Sequence, residues 1–256
     1  MLLILLHNIS TASSLLKSGY QLARNLKKEV GVLAFVERAE EVNAKKDNLA
    51  KYFSENGFDD FQVFVRPKSV KHLAEECEAV EASFLMMQWG NSQHKQLKNY
   101  LNYCRDLRIP YVFFREEFPE INFEKVMVPV GFLVEEYEKA QFASAFGRFC
   151  GSEITILLAN DYGTKAAVTA EKMKELFGKF NLNFNQEKAQ SDSFKLDKEA
   201  VKAARENDYG IVIISASRDY GLDDLLFGPK EYHLIRRSDV PLLLVNPRGD
   251  LYTLCD

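Results

Sequence analysis

Cysteine is scarce in this chain: four in 256 residues, and Cys77, Cys104, Cys150 and Cys255 show no C-x-x-C or zinc-type spacing. Neither a disulfide framework nor a structural metal site is indicated, and a reducing cytoplasm fits best. An excess of positive charge is also missing. The 33 Lys+Arg stand against 37 Asp+Glu, a net charge of −4, so few cations are available to release counterions from a nucleic acid, and general nucleic-acid binding is disfavoured. Long hydrophobic runs are absent as well. The apolar start 1–6 meets His7, Asn8 and Ser10 too early for a secretory core or a membrane span, and it reads as a buried first strand. What remains is the composition of a globular protein, 46% hydrophobic and 12% aromatic, long enough to bury one large core or two smaller ones.

Short β-rich runs alternate with helical patterns, the signature of βαβ units around a parallel sheet. In the first half the runs are 2–6, 31–36, 61–65, 83–88 and 111–114, with helices expected near 11–28, 39–56, 69–80 and 93–106. The first helix carries Leu15, Leu16, Tyr20, Leu22, Ala23 and Leu26 on one face, with Lys17, Lys27 and Lys28 toward water. A charged stretch containing Pro119 follows, and the pattern then begins again. This places a domain boundary at 117/118. The second half predicts strands at 125–130, 153–158, 182–187, 210–215 and 242–245, with helices near 134–149, 164–180, 197–206 and 229–237.

The halves superpose as an internal repeat. Asn8 falls on Gly131, the segment 68–85 falls on 195–212, and 109–114 falls on 240–245. The spacing grows by about four residues between the fourth strand and last helix of the second half, where a doubly wound sheet keeps its ligand crevice.

The second half resembles the universal stress protein family. The residues that carry the resemblance are the first strand Lys125-Val126-Met127-Val128-Pro129-Val130, the second strand that follows Gly151-Ser152, and the end from Ile214-Ser215 through Gly228 to Val240-Pro241-Leu242. A weaker match covers 1–115. The resemblance implies an α/β fold of two tandem doubly wound parallel five-stranded sheets, of the universal stress protein or adenine nucleotide alpha hydrolase-like type, packed as a pseudo-dimer within the chain. It also implies a nucleotide site. Family members that bind nucleotide end the first strand on an acidic residue, and their loop after strand four reads G-x-x-G, nine residues, then G-S/T. Such glycines let backbone N–H groups close on phosphate oxygens ahead of a helix N-terminus.

This sequence departs from that pattern. The loop positions fall on Ser215, Arg218, Gly228 and Pro229, so one of the four is kept; Gly131 stands where the carboxylate would be, followed by Phe132. Pro229 suits the first position of a helix but offers neither N–H nor hydroxyl. In the first half Asn8 takes the carboxylate position, the loop after the fourth strand is too short to wrap a triphosphate, and Asn91 or Ser92 reads as a helix cap. ATP is therefore disfavoured as a cofactor. The degenerate cleft of Gly131, Ser215, Arg218, Gly228 and Pro229 is the candidate binding site.

Arg218 has two readings: a forked donor for an anionic ligand, or a surface arginine paired with Asp219, Asp223 or Asp224. His7 and His94, with Trp89, are placed to line a small pocket, without a third ligand for a metal. His72 and His233 read as half-exposed packing residues. Phe142, Ala145, Phe146 and Phe149 have the spacing of a buried helix face, and the lysines between 165 and 179 form a mixed solvated face. No nucleophile elbow, zinc-protease or P-loop lysine motif occurs, and no residue is assigned to catalysis. The leading expectation is a cytoplasmic, non-catalytic stress-response protein that acts through a protein partner or a small ligand, with no membrane contact and with homodimerisation left open. The alternative is an adenine-nucleotide-binding switch or weak ATPase using the second-half cleft.

Overall fold

A computed structural model describes residues 1–90, 96–217 and 229–248. The chain divides into two compact units, Met1–Glu120 and Ile121–Asp256.

In the first unit, strands β1 (Leu2–Leu5), β2 (Val30–Phe35), β3 (Gln62–Arg66), β4 (Phe84–Trp89) and β5 (Tyr111–Arg115) lie in the order β3-β2-β1-β4-β5. Every pairing is parallel. Between them run α1 (Ser13–Asn25), α2 (Glu41–Asn56), α3 (Leu73–Ala79) and α4 (Leu97–Cys104). The central strands are apolar because both faces are covered: all four residues of β1 and all six of β4 are buried. Helix α1 buries Leu15, Leu16, Leu22 and Ala23, the stripe that its periodicity predicts.

The second unit repeats the plan. Strands β6 (Lys125–Val130), β7 (Glu153–Leu158), β8 (Phe184–Lys188), β9 (Ile211–Ser215) and β10 (Leu242–Val245) take the order β8-β7-β6-β9-β10, again all parallel. Its helices are α5 (Lys139–Ala145), α6 (Lys165–Lys179), α7 (Leu196–Glu206) and α8 (Lys230–Arg237). In each unit the strand order reverses beside the first strand, the position where open α/β sheets leave a crevice at the carboxyl ends of their strands.

Two helices differ from expectation. The stretch expected at 134–149 is a 3-10 segment Val134–Glu138, then α5, then a π turn Phe146–Cys150. A π turn shifts the face that later residues present. Of the expected core stripe only Phe146 is buried, stacking on Phe123 at 5.9 Å; Phe142 and Ala145 are half-buried, the helix burying Ala140 and Ala143 instead, and Phe149 swings out to 40% exposure. The helix expected at 69–80 likewise opens as a 3-10 turn, Val70–His72, before α3.

Candidate functional site

In the first unit β1 and β4 stay in register over four residue pairs, whereas β6 and β9 pair only at Val126 with Ile211 and Met127 with Val212. Pro129 lies two residues beyond the last of these pairs and has no N–H to continue a ladder. Lys139, at the start of α5, is fully buried, and its ammonium donates to the Pro129 carbonyl and pairs with the buried Glu136 carboxylate. A charge so enclosed is tolerated only because a countercharge and a carbonyl meet it.

Gly131 follows β6 and is buried. A Cβ built there would lie 2.7 Å from Ser193 Oγ and 3.1 Å from Ser193 Cβ. Glycine at this position gives close approach to the loop after β8. Ser193 is fixed on several sides. Its hydroxyl accepts from the Phe132 N–H at 2.9 Å and donates to Asp161, whose other oxygen accepts the Ser193 N–H at 2.8 Å. The Phe132 and Phe194 rings meet beside it at 5.6 Å.

The end of β9 and the start of α8 carry the other expected site residues. Ser215 ends β9, is buried, and pairs with Val245 of β10. Pro229 is the N-cap of α8, with φ −64° and ψ 163°. It therefore stands one residue before the first helical position expected for it: its ring fixes φ, which suits both places, while the extended ψ places it outside the helix. Arg218 and Gly228 lie outside the described residues, as do Asp219, Asp223 and Asp224.

Sequence reasoning did not single out Glu231. It lies in the first turn of α8 and is completely buried. Its carboxylate accepts the Ser217 N–H at 3.2 Å and the Ser217 hydroxyl at 2.8 Å. A helix N-terminus carries partial positive charge and favours an anion, and the Glu231 carboxylate lies in that first turn. Lys230, the residue before it, reaches Asp197 of α7 at 3.0 Å.

The first unit closes its equivalent edge differently. Gln88, which the repeat places opposite Ser215, is buried at the end of β4. Its Oε1 accepts the N–H groups of His7 (2.8 Å) and Asn8 (2.7 Å), and its Nε2 donates to the Asn8 carbonyl (2.7 Å) and the Thr11 hydroxyl (2.9 Å). One amide thus stitches the loop after β1 to β4. The Asn8 side chain turns to its own loop, capping the 3-10 turn Ile9–Thr11 by accepting from Ser10 N–H at 3.1 Å. His7 meets the Tyr100 hydroxyl at 3.1 Å and its ring edge-on. Burial, with Lys45 adding to it, lowers the His7 pKa to about 4. Trp89 is fully buried beside this loop, while His94, Asn91 and Ser92 lie outside the described residues.

His72 contacts Glu75 at 3.2 Å and His233 packs edge-on against Tyr232. Ser152, after the Gly151 turn, spends its hydroxyl on the Phe123 carbonyl at 2.5 Å. Among the described residues no three His, Cys, Asp or Glu side chains are grouped to hold a metal ion, and no helix is long and apolar enough to cross a membrane.

Glu231 had only a faint sequence signal, an acid two residues after a proline where the motif would place a hydroxyl. Ser193 with Asp161 had none, since two separate loops supply them.

No protein-family model matches the chain, and no curated protein matches it. Solved structures do. A universal stress protein from Archaeoglobus fulgidus superposes with a TM-score of 0.68 at 14% identity, covering 97% of each chain. A putative universal stress protein from Pseudomonas aeruginosa gives 0.65 at 15% identity, over 96% of this chain and 92% of that one. The cytoplasmic domain of a prokaryotic cation chloride cotransporter gives 0.57 at 12% identity, over 95% and 93%. Over nearly its whole length, the chain takes the fold found in universal stress proteins.

Proposed function

We propose that this is a universal stress protein with a cytoplasmic, non-catalytic role in stress response, whose second-unit nucleotide cleft is taken over by its own side chains and which acts through a protein partner. The observation that carries the reading is Glu231: a buried carboxylate at the start of α8 already engages the N–H and hydroxyl that the loop would turn toward a phosphate. Ser193 against Gly131 supports it at the nucleoside end, and Lys139 with Glu136 in the crevice between. In the first unit, Gln88 binds the corresponding loop down.

The test is thermal unfolding of the full chain with millimolar Mg-ATP, paired with native mass spectrometry of freshly purified protein. A ligand at a hundredfold its Kd adds about 2.7 kcal/mol and moves a melt of this size by several degrees. The expected result is no shift and no co-purified nucleotide. A clear shift, or phosphate release lost on a single cleft substitution, would replace this reading with the nucleotide switch or weak ATPase.

A further inference from the structure

Helices α7 and α8 flank a groove of about 650 Å³ in the second unit. Its floor is apolar, with Leu234 buried and Val201 half-buried, and Phe194 stands at its mouth 84% exposed. Both helices turn the same kind of stripe into it. On α7 the positions 197/198, 201/202 and 205 recur every turn, and on α8 the positions 230, 233/234 and 237 do the same.

The charges are arranged unevenly. The groove's two acids are both used to tie α8 and the residues after it to α7: Asp197 pairs with Lys230 at 3.0 Å, and Asp239 pairs with Arg205 at 2.8 Å. Asp197 and Arg205 lie toward opposite ends of α7, so these pairs bracket the groove. Between the brackets, Lys202 has Glu206 at 3.8 Å and acts at longer range on Glu199, and Lys198 and Arg237 have no acid within 4.0 Å among the described residues. An apolar trough with surplus cations on both sides and its own carboxylates confined to the ends complements one kind of ligand: an anionic segment with an apolar stripe.

We infer that the α7–α8 groove docks an acidic amphipathic helix of a partner protein, its apolar residues on Val201, Leu234 and Phe194 and its carboxylates on Lys198, Lys202 and Arg237. This is helix-in-groove recognition, with charge fixing orientation and association rate. A nucleic acid fits less well. Its phosphates would run past the Asp197 and Asp239 carboxylates at the two ends, and the floor of Val201 and Leu234 is aliphatic, so among the described lining residues only the Phe194 and His233 rings could stack a base. The inference deepens the partner-binding part of the function proposed above and meets the nucleotide cleft only at Phe194, whose ring packs on Phe132, while Lys198, Lys202 and Arg237 lie outside the cleft, so either can fail alone.

The experiment selects a phage-displayed library of random 16-residue peptides on the immobilised full chain, then measures the enriched consensus peptide by fluorescence anisotropy. Enriched sequences are expected to be net negative, with apolar residues at three- and four-residue spacing. Their affinity is expected to fall at least tenfold in the Lys198→Glu/Arg237→Glu variant and steadily with added salt. If circular dichroism shows that variant unfolded, Lys198→Gln/Arg237→Gln serves instead, with a smaller loss in the same direction. Enrichment of neutral or basic peptides, or affinity that survives charge reversal, overturns the inference. So does a mixed 20-nucleotide RNA pool that binds while no peptide is enriched and is lost on reversal, which would assign the groove to nucleic acid. A Mg-ATP titration of the same variant should match wild type whatever the peptide result.

Discussion

Replacing Glu231 with alanine tests the internal anion directly. The carboxylate holds two hydrogen bonds from Ser217, at 3.2 and 2.8 Å, and lies in the first turn of α8 with no exposed surface. Hydrogen bonds to a charged acceptor contribute about 1.5–3 kcal/mol each, and an anion at a helix N-terminus adds about 0.3–1 kcal/mol. The cost of burying a carboxylate opposes both, and Ser217 is only half-buried, so water takes over part of what is lost. The net loss expected for Glu231→Ala is about 2–4 kcal/mol, and for Glu231→Gln, which keeps shape and one acceptor oxygen, about 1–2 kcal/mol. Urea unfolding in chloride gives both values. Repeating it with inorganic phosphate at equal ionic strength asks a sharper question: with the carboxylate gone, free anion should restore part of the stability of the alanine variant and leave wild type unchanged. An alanine variant within about 0.5 kcal/mol of wild type in chloride, and indifferent to phosphate, would refute the assignment of Glu231 as the anion of this turn.

Gly210 allows no side chain at all. A Cβ there would fall inside the Asn122 carbonyl oxygen and 2.6 Å from its carbon, while the Gly210 N–H is held by Lys125 at 3.1 Å. Gly210→Ala is expected to cost more than about 4 kcal/mol or to prevent folding of the second unit, read from the denaturation midpoint. His7 predicts an acid-sensitive window in the first unit. Its folded pKa of about 4 lies below the ordinary 6.5, because burial and Lys45 disfavour the charged ring. The neutral ring's contribution is therefore complete above pH 6.5 and is lost as pH falls toward 4, up to about 3 kcal/mol. A His7→Gln chain should show a flatter stability–pH curve across that range, and its curve parallel to wild type would sink the claim.

The parts of this protein that depend on local chemistry were legible in advance. The ten strands lie within about two residues of the runs read in the sequence; the central ones were plainest because strands covered on both faces must be apolar throughout, whereas β8, Phe184–Lys188, is largely exposed and sits furthest from its expected bounds. The repeat was visible because each half must meet the same packing demands. What escaped notice depends on contacts between loops. Nothing in the sequence brings Ser193 to Gly131, or lets Gln88 gather the N–H groups of His7 and Asn8 from across the sheet. Glu231 reads along the chain as an ordinary acid in a first helical turn, and only the fold reveals that it faces Ser217. The π turn after Ala145 was hidden as well, since its residues follow an unbroken helical pattern until the added backbone rotation takes Phe149 into solvent.

A counterion tethered by its own backbone behaves unlike one drawn from solution. Ser217 and Glu231 are held in place by the ends of β9 and α8, so the local concentration of carboxylate seen by that turn is set by geometry and stays constant whatever the cell contains. If the cleft is closed as proposed, swings in phosphate or nucleotide supply leave the contact between Ser217 and Glu231 as it is.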